Sequence, residues 1–295
     1  MPEKSKAHKT DYAISKDGTK IGYRIYGNNG PGLILVHGGI MGAQNFDKLA
    51  GILAENFTVY VHDRRGRGLS ANAFDHSLAL EVEDIQAIIG QTGAVNIFGL
   101  SSGAIVTLQT ALTTQSIQKI AVYEPPLADD WSLSAKWYQD YENAVVRQKY
   151  GKALIKAMRG MGDKSWITRL PVFIIAPILN LGIRQEEPAA DQIPLKDLIT
   201  AFKDDYRIAI ESKGMIERCR ALSDRNVLLI EGAKSFAWIK STLKELAAIL
   251  PDAKHMELPK CVHNAADNGE SPEIVARALK DFFIDQDGCF NADLR

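Results

Sequence analysis

Five short, almost wholly apolar runs, at residues 33–36, 58–61, 95–98, 120–123 and 227–230, constrain the fold of this chain more than any other feature. Each is bounded by Gly, Asp or Glu, and none alternates apolar with polar residues, which is the pattern of strands covered on both faces. Amphipathic segments at 45–56, 77–90 and 102–113 separate the first four. Strand, helix, strand, helix in that order predicts an α/β fold with a parallel sheet and right-handed crossovers. Ahead of them, 11–15 and 20–26 read as a hairpin turning at Asp17-Gly18.

The rhythm breaks after Tyr123-Glu124-Pro125-Pro126. From 127 to 225 there is helical patterning, at 131–147 and 197–212, but no buried-strand run, so this stretch predicts a helical cap inserted after the sixth strand. The sheet resumes at 227, followed by a helix over 239–250, a last strand at 254–258 and a closing helix from Ser271-Pro272 to about Phe283. The expected organisation is a tail at 1–9, a core of 10–126 and 226–285, a cap of 127–225 and a tail at 286–295. The apolar stretch 170–183 is too short and too broken by Pro171 and Pro177 for a membrane span, which needs about 20 apolar residues, and reads as part of the cap.

Lys and Arg number 35 against 36 Asp and Glu, so the overall balance calls for neither nucleic acid nor an anionic membrane as partner. Cys219, Cys261 and Cys289 are odd in number and widely spaced, against both a disulfide framework and a zinc site. With a polar N-terminus that does not read as a secretory signal, a reducing, cytoplasmic location is expected.

Gly99-Leu100-Ser101-Ser102-Gly103 sits between the strand run at 95–98 and the helical segment at 102–113. A G-x-S-x-G pentapeptide in that context places the central serine on a sharp turn, out of the backbone surface and open to a base. Three further landmarks follow strands in order: His37-Gly38-Gly39, the run Asp63-Arg64-Arg65-Gly66-Arg67-Gly68, and Cys261-Val262-His263. Together these motifs resemble those of the α/β-hydrolase superfamily over residues 10 to 285.

The resemblance implies Ser101 as nucleophile and His263, in the loop before the closing helix, as base. It implies backbone amides of Gly39 and Ser102 as the oxyanion hole, with Ile40 as the alternative to Gly39. His37 is the competing base, although in the family it structures the oxyanion loop; His62 reads as scaffold, and His8, His76 and His255 have no supporting context. The arginine run reads as a turn fixed by salt bridges. One position departs from the commonest pattern: where Gly-x-x-Asp is expected after the strand at 227–230, the chain has Gly232-Ala233-Lys234-Ser235. A hydroxyl cannot stabilise an imidazolium as a carboxylate does. Glu124, at the end of the preceding strand, is therefore the expected acid, an arrangement similar to that of haloalkane dehalogenases and zearalenone-opening lactonases. Glu231, Asp224 and Asp267 are the alternatives, the last as an orienter of the histidine loop.

A serine rather than an aspartate at 101 argues against epoxide-hydrolase or dehalogenase chemistry. No metal or cofactor motif is present. The cap supplies Trp131, Trp137, Tyr138, Trp166, Phe173, Ile174, Ile175 and Tyr206, so a small hydrophobic ester or lactone is the expected substrate, and the cap offers a face for a homodimer. Two other readings remain open: a non-hydrolytic enzyme on this scaffold, performing carbon–carbon cleavage, isomerisation or cyclisation, and a ligand-binding receptor.

Overall fold

The computed structural model describes residues 8–70, 75–132 and 135–284. The tail expected at 286–295 lies outside them, as do all but two residues of the tail at 1–9, and Cys289. An eight-stranded sheet runs through the molecule, built from β1 (Lys9–Ile14), β2 (Lys20–Tyr26), β3 (Gly32–Val36), β4 (Thr58–His62), β5 (Asn96–Leu100), β6 (Lys119–Tyr123), β7 (Asn226–Gly232) and β8 (Lys254–Leu258). Its order is β1-β2-β4-β3-β5-β6-β7-β8. Only the first two pairings are antiparallel; from β4 onward every neighbour is parallel.

The apolar runs make this sheet because each has something to bury on either side. Ile34 and Val36 of β3, Ile97 of β5, Val122 of β6 and Leu229 of β7 face one core, shared with α2 (Leu78–Thr92) and α3 (Ser102–Thr113). Their alternates Leu33, Leu35, Phe98, Tyr123 and Ile230 face the other core, against α1 (Asp47–Leu53) and α11 (Pro272–Ile284). A register slip of one residue would exchange the two sets, so the period of two fixes the alignment. The helix expected at 45–56 divides into a 3-10 turn, Ala43–Phe46, and α1.

Among the described residues six α-helices stand between β6 and β7, followed by a 3-10 turn at Cys219–Leu222: α4 (Lys136–Val146), α5 (Tyr150–Gly160), α6 (Trp166–Arg169), α7 (Val172–Arg184), α8 (Leu195–Glu211) and α9 (Met215–Arg218). Of these, α4, α5, α7 and α8 share an apolar cluster that includes Tyr138, Tyr141, Phe202 and Tyr206. The helix expected from Trp131 starts only at Lys136. Trp131 instead turns its indole N–H to the Pro126 carbonyl, spending that donor on the loop after β6. A single helix, α10 (Ala237–Ile249), then links β7 to β8.

Register brings the carboxyl ends of the strands together. Val36 lies beside Gly99, Leu100 beside Tyr123, and Tyr123 beside Ile230. In open α/β sheets this edge is where ligands bind, and the loops leaving it carry most of the residues singled out above.

Candidate active site

Ser101 joins β5 to α3 with φ 55° and ψ −124°, a conformation costly for any residue with a Cβ. Its neighbours make the turn possible. A Cβ on Gly99 would stand 2.5 Å from the Gly103 carbonyl oxygen, and one on Gly103 would stand 2.3 Å from that of Val36. Both glycines are therefore required by close backbone approach. The Ser101 amide donates to the Tyr123 carbonyl at 2.9 Å, tying the turn to β6.

Three sequence-predicted side chains meet at this turn. His263 Nε2 lies 3.0 Å from Ser101 Oγ, and His263 Nδ1 lies 2.6 Å from Glu124 Oε2. The carboxylate is fully buried, and its other oxygen, Oε1, accepts the Gly232 amide at 2.7 Å. The histidine loop is fixed from beneath: Tyr123 Oη donates to the Val262 carbonyl at 2.8 Å, and Lys234 N–H to that of Cys261 at 2.9 Å. Ser101, Glu124 and Lys260, three residues with side chains, all hold positive φ around this site, as does Ile40.

The competing histidines stand elsewhere. His37 is completely buried, with Nδ1 at 3.0 Å from the Gly38 carbonyl and its ring stacked on His62. Burial, reinforced by the Arg67 and Arg64 charges, pushes its pKa well below the ordinary value. Burial likewise pushes His62 down to about 4. Both are neutral scaffold at pH 7. His76 pairs with Glu81, and His255 with Glu231. Asp224 is exposed, whereas Asp267 accepts from Asn45 Nδ2 at 2.7 Å, bracing the segment after the histidine.

Gly39 and Ile40 lie in the loop after β3, and Ser102 opens α3. Among the described residues no protein acceptor takes the amide protons of Gly39 or Ser102. Amides at a helix start have no partner in the helix itself and face the positive end of its dipole.

Sequence reasoning missed Asp205 of α8. It is fully buried and accepts from Ser102 Oγ at 2.9 Å, Arg64 Nη1 at 2.5 Å and Arg67 Nη2 at 2.6 Å. Arg64 spends its remaining fork on Glu81 of α2, and Arg67 also donates to the Met41 carbonyl. Burial alone would raise the Asp205 pKa, but the Arg67 and Arg64 guanidinium groups outweigh it and hold the pKa below the usual value. The same opposition, with Arg64 as partner, holds Glu81 well below. The arginine run thus fixes structure, as the resemblance implies, and it also reaches the helices beyond β6. A signal was present: Asp205 falls between Phe202 and Ala209 on the apolar side of an amphipathic segment, where a carboxylate needs a buried cation.

A cavity of about 100 Å³ opens over Ser101, walled by Ile40, Met41, Trp131, Met158, Phe202 and Tyr206. Of the aromatic residues expected in the cap, Trp131 and Tyr206 reach it. Trp131, Met161 and Tyr206 also line a second cavity of about 740 Å³ behind it.

A mostly parallel eight-stranded sheet with a serine on the strand-to-helix turn and helices inserted after the sixth strand defines an α/β-hydrolase fold. Sequence comparison agrees: the alpha/beta hydrolase family model matches residues 33–278, and the chain belongs to that family. It is 31% identical over 106 residues to a bifunctional esterase/perhydrolase of Acinetobacter calcoaceticus, a match covering 34% of this chain and 38% of the relative. It is 29% identical over 136 residues to an N-formylmaleamate deformylase of Pseudomonas putida, covering 43% of this chain and 51% of the relative. The chain thus spans about half or less of the length of these curated relatives. The structure of an alpha/beta hydrolase from Sphaerobacter thermophilus is similar with a TM-score of 0.74 at 29% identity, covering 92% of this chain and 100% of that one.

Proposed function

We propose that the chain is a serine hydrolase that cleaves a hydrophobic ester or lactone by acyl transfer. The observation that carries the reading is the unbroken hydrogen-bond chain from Glu124 through His263 to Ser101, 2.6 and 3.0 Å long, ending at an apolar cavity. In this mechanism His263 Nε2 takes the Ser101 proton as Oγ attacks the carbonyl carbon. Nδ1–H donates to Glu124, whose charge stabilises the imidazolium. Amides of Gly39 and Ser102 receive the developing oxyanion, each worth about 3–4 kcal/mol to the transition state. Collapse of the tetrahedral intermediate expels the alkoxide, which takes the proton from His263; water activated by the same nitrogen then releases the acid and restores Ser101. Residues 127–225 act as the cap that encloses the acyl group. Relatives named as an esterase and a deformylase support acyl transfer as the reaction class.

Labelling with a fluorophosphonate and hydrolysis of p-nitrophenyl esters test this reading. The native chain is expected to take one label and turn over the ester, and Ser101→Ala to do neither. Glu124→Ala should lose about 10³–10⁴-fold in kcat. Full activity in Glu124→Ala would overturn the acid assignment, and an unlabelled native chain would overturn the hydrolase.

A further inference from the structure

The near-zero balance of charge along the whole chain conceals a local segregation. Between residues 147 and 184 stand four lysines and four arginines but a single acid, Asp163. Apart from Val146 just ahead of it, the same stretch carries the large apolar residues of the cap that stand exposed. On α7, Phe173 is 78% exposed, Ile174 49%, Ile178 63% and Leu181 58%, and Trp166 of α6 is 73% exposed.

These residues form one face. Positions 173, 177 and 181, and beside them 174 and 178, repeat at four-residue spacing and share one side of the helix. The opposite side, with Ile175, Ala176 and Ile183, is buried. Phe173, Ala176 and Pro177 of α7 form one wall of a groove whose other wall is Lys152 and Lys156 of α5 with Lys149 at its N-cap. Lys156 is paired with Asp140, whereas among the described residues neither Lys149 nor Lys152 has a carboxylate within ion-pair distance. At about 1.5 Å per residue, the 13 residues of α7 extend roughly 20 Å, too short to cross a bilayer. Among the described residues no helix is long and apolar enough to do so. An apolar helix face rimmed by lysine, with an exposed tryptophan at one end, has the composition of an element that lies in a lipid interface.

We infer that α6 and α7, with the lysines of α5, dock this protein onto an anionic lipid surface. Charge complementarity selects this occupant. A second copy docked through the same face would set lysines against lysines, a like-charge juxtaposition that disfavours that contact. Phosphatidylglycerol or phosphatidylserine headgroups instead receive the lysines while the apolar stripe enters the acyl boundary. Docking would set the site close to the bilayer, because α5, which packs on α7, also supplies Ala157 and Met158 to the cavity over Ser101.

Co-sedimentation of the full chain with phosphatidylcholine vesicles, with and without phosphatidylglycerol, tests the inference. Binding is expected only to the anionic vesicles, weakening as salt rises. A Phe173→Ser/Ile178→Ser variant should bind about a hundredfold more weakly, and Lys149→Glu/Lys152→Glu at least about tenfold. Both variants change exposed positions that do not line the cavity over Ser101, so hydrolysis of a water-soluble p-nitrophenyl ester, the measure of a folded chain, should stay at the native level. Native Trp166 fluorescence should shift to the blue on anionic vesicles, a shift lost in Trp166→Phe. Absence of binding to either vesicle, or equal binding to both, would overturn the inference. So would a dimer in sedimentation velocity that Phe173→Ser/Ile178→Ser dissolves.

Discussion

Gly232 at the end of β7 donates its amide to Glu124 Oε1 at the end of β6, so the carboxylate is held by the strand that in the commonest family pattern would carry the acid itself. The loop after β7 keeps a supporting role. A Cβ on Gly232 would stand 2.6 Å from the Cys261 carbonyl oxygen, so this close approach of the β7 turn to the histidine loop demands glycine. With one oxygen on an amide and the other on His263, the buried carboxylate is satisfied on both sides, which is what permits a charge there.

Because both strands end at the same edge, moving the carboxylate back should restore part of what its removal costs. Glu124→Ala/Ser235→Asp is expected to turn over p-nitrophenyl acetate at least about tenfold faster than Glu124→Ala, a fraction of the 10³–10⁴-fold that a misoriented imidazole typically loses. Equal rates in the two variants would show that the turn at 232–235 cannot deliver an acid to His263.

Asp205 offers a test of how the helices after β6 are held. Asp205→Ala leaves Arg64 and Arg67 buried without their shared partner, and loss of one member of such a group typically costs about 3–5 kcal/mol. Urea denaturation should show a midpoint lowered accordingly. Asp205→Asn, which keeps an acceptor for Ser102 Oγ but removes the charge, should fall between native and Asp205→Ala.

Stability should fall as the solution is acidified, in two stages. His62 is held neutral by burial down to about 4, so between its ordinary pKa near 6.5 and 4 the unfolded chain binds a proton that the folded chain refuses. The unfolded state is favoured across that window by about 1.4 kcal/mol per pH unit, or about 3 kcal/mol in all, and His37 adds to it with the same sign. Asp205 and Glu81, whose pKa values are lowered, contribute stability that is present above the ordinary carboxylate range and disappears only below it. A His62→Asn variant should flatten the first stage and leave the second; thermal melting across about pH 2–8 measures both.

Chain-length preference should depend on the wall between the two cavities. Met161→Ala opens the space of about 100 Å³ over Ser101 toward the larger one behind it. Relative kcat/KM for p-nitrophenyl octanoate over acetate is expected to rise by about tenfold, the worth of one or two additional buried methylenes. An unchanged ratio would mean that the acyl chain leaves the site by another route.

Much of this was legible in the residues. The apolar runs fixed the sheet because each strand is buried on both faces and has no second way to satisfy that pattern. Ser101 and His263 were legible because a glycine-flanked turn and a loop before the closing helix have few other uses together. Glu124 could be read only through the absence at Ser235. Asp205 was hidden because its meaning depends on Arg64 and Arg67, 141 and 138 residues away in sequence, and an amphipathic pattern says which side of a helix is buried, not what it meets. The lipid-facing stripe escaped for the converse reason: apolar residues at helical spacing look alike whether a neighbour covers them or not, and a whole-chain charge balance averages away a basic patch.

The bond between Asp205 and the two arginines bears on how proteins of this fold diversify. Helices inserted after a sixth strand are readily pictured as an exchangeable module, free to be replaced when a new substrate is selected. Here the module carries one of the two carboxylates that neutralise Arg64, and the shared partner of Arg67. Any transplanted insertion would have to bring an acid to the same spot, or the recipient would have to shed both cations first.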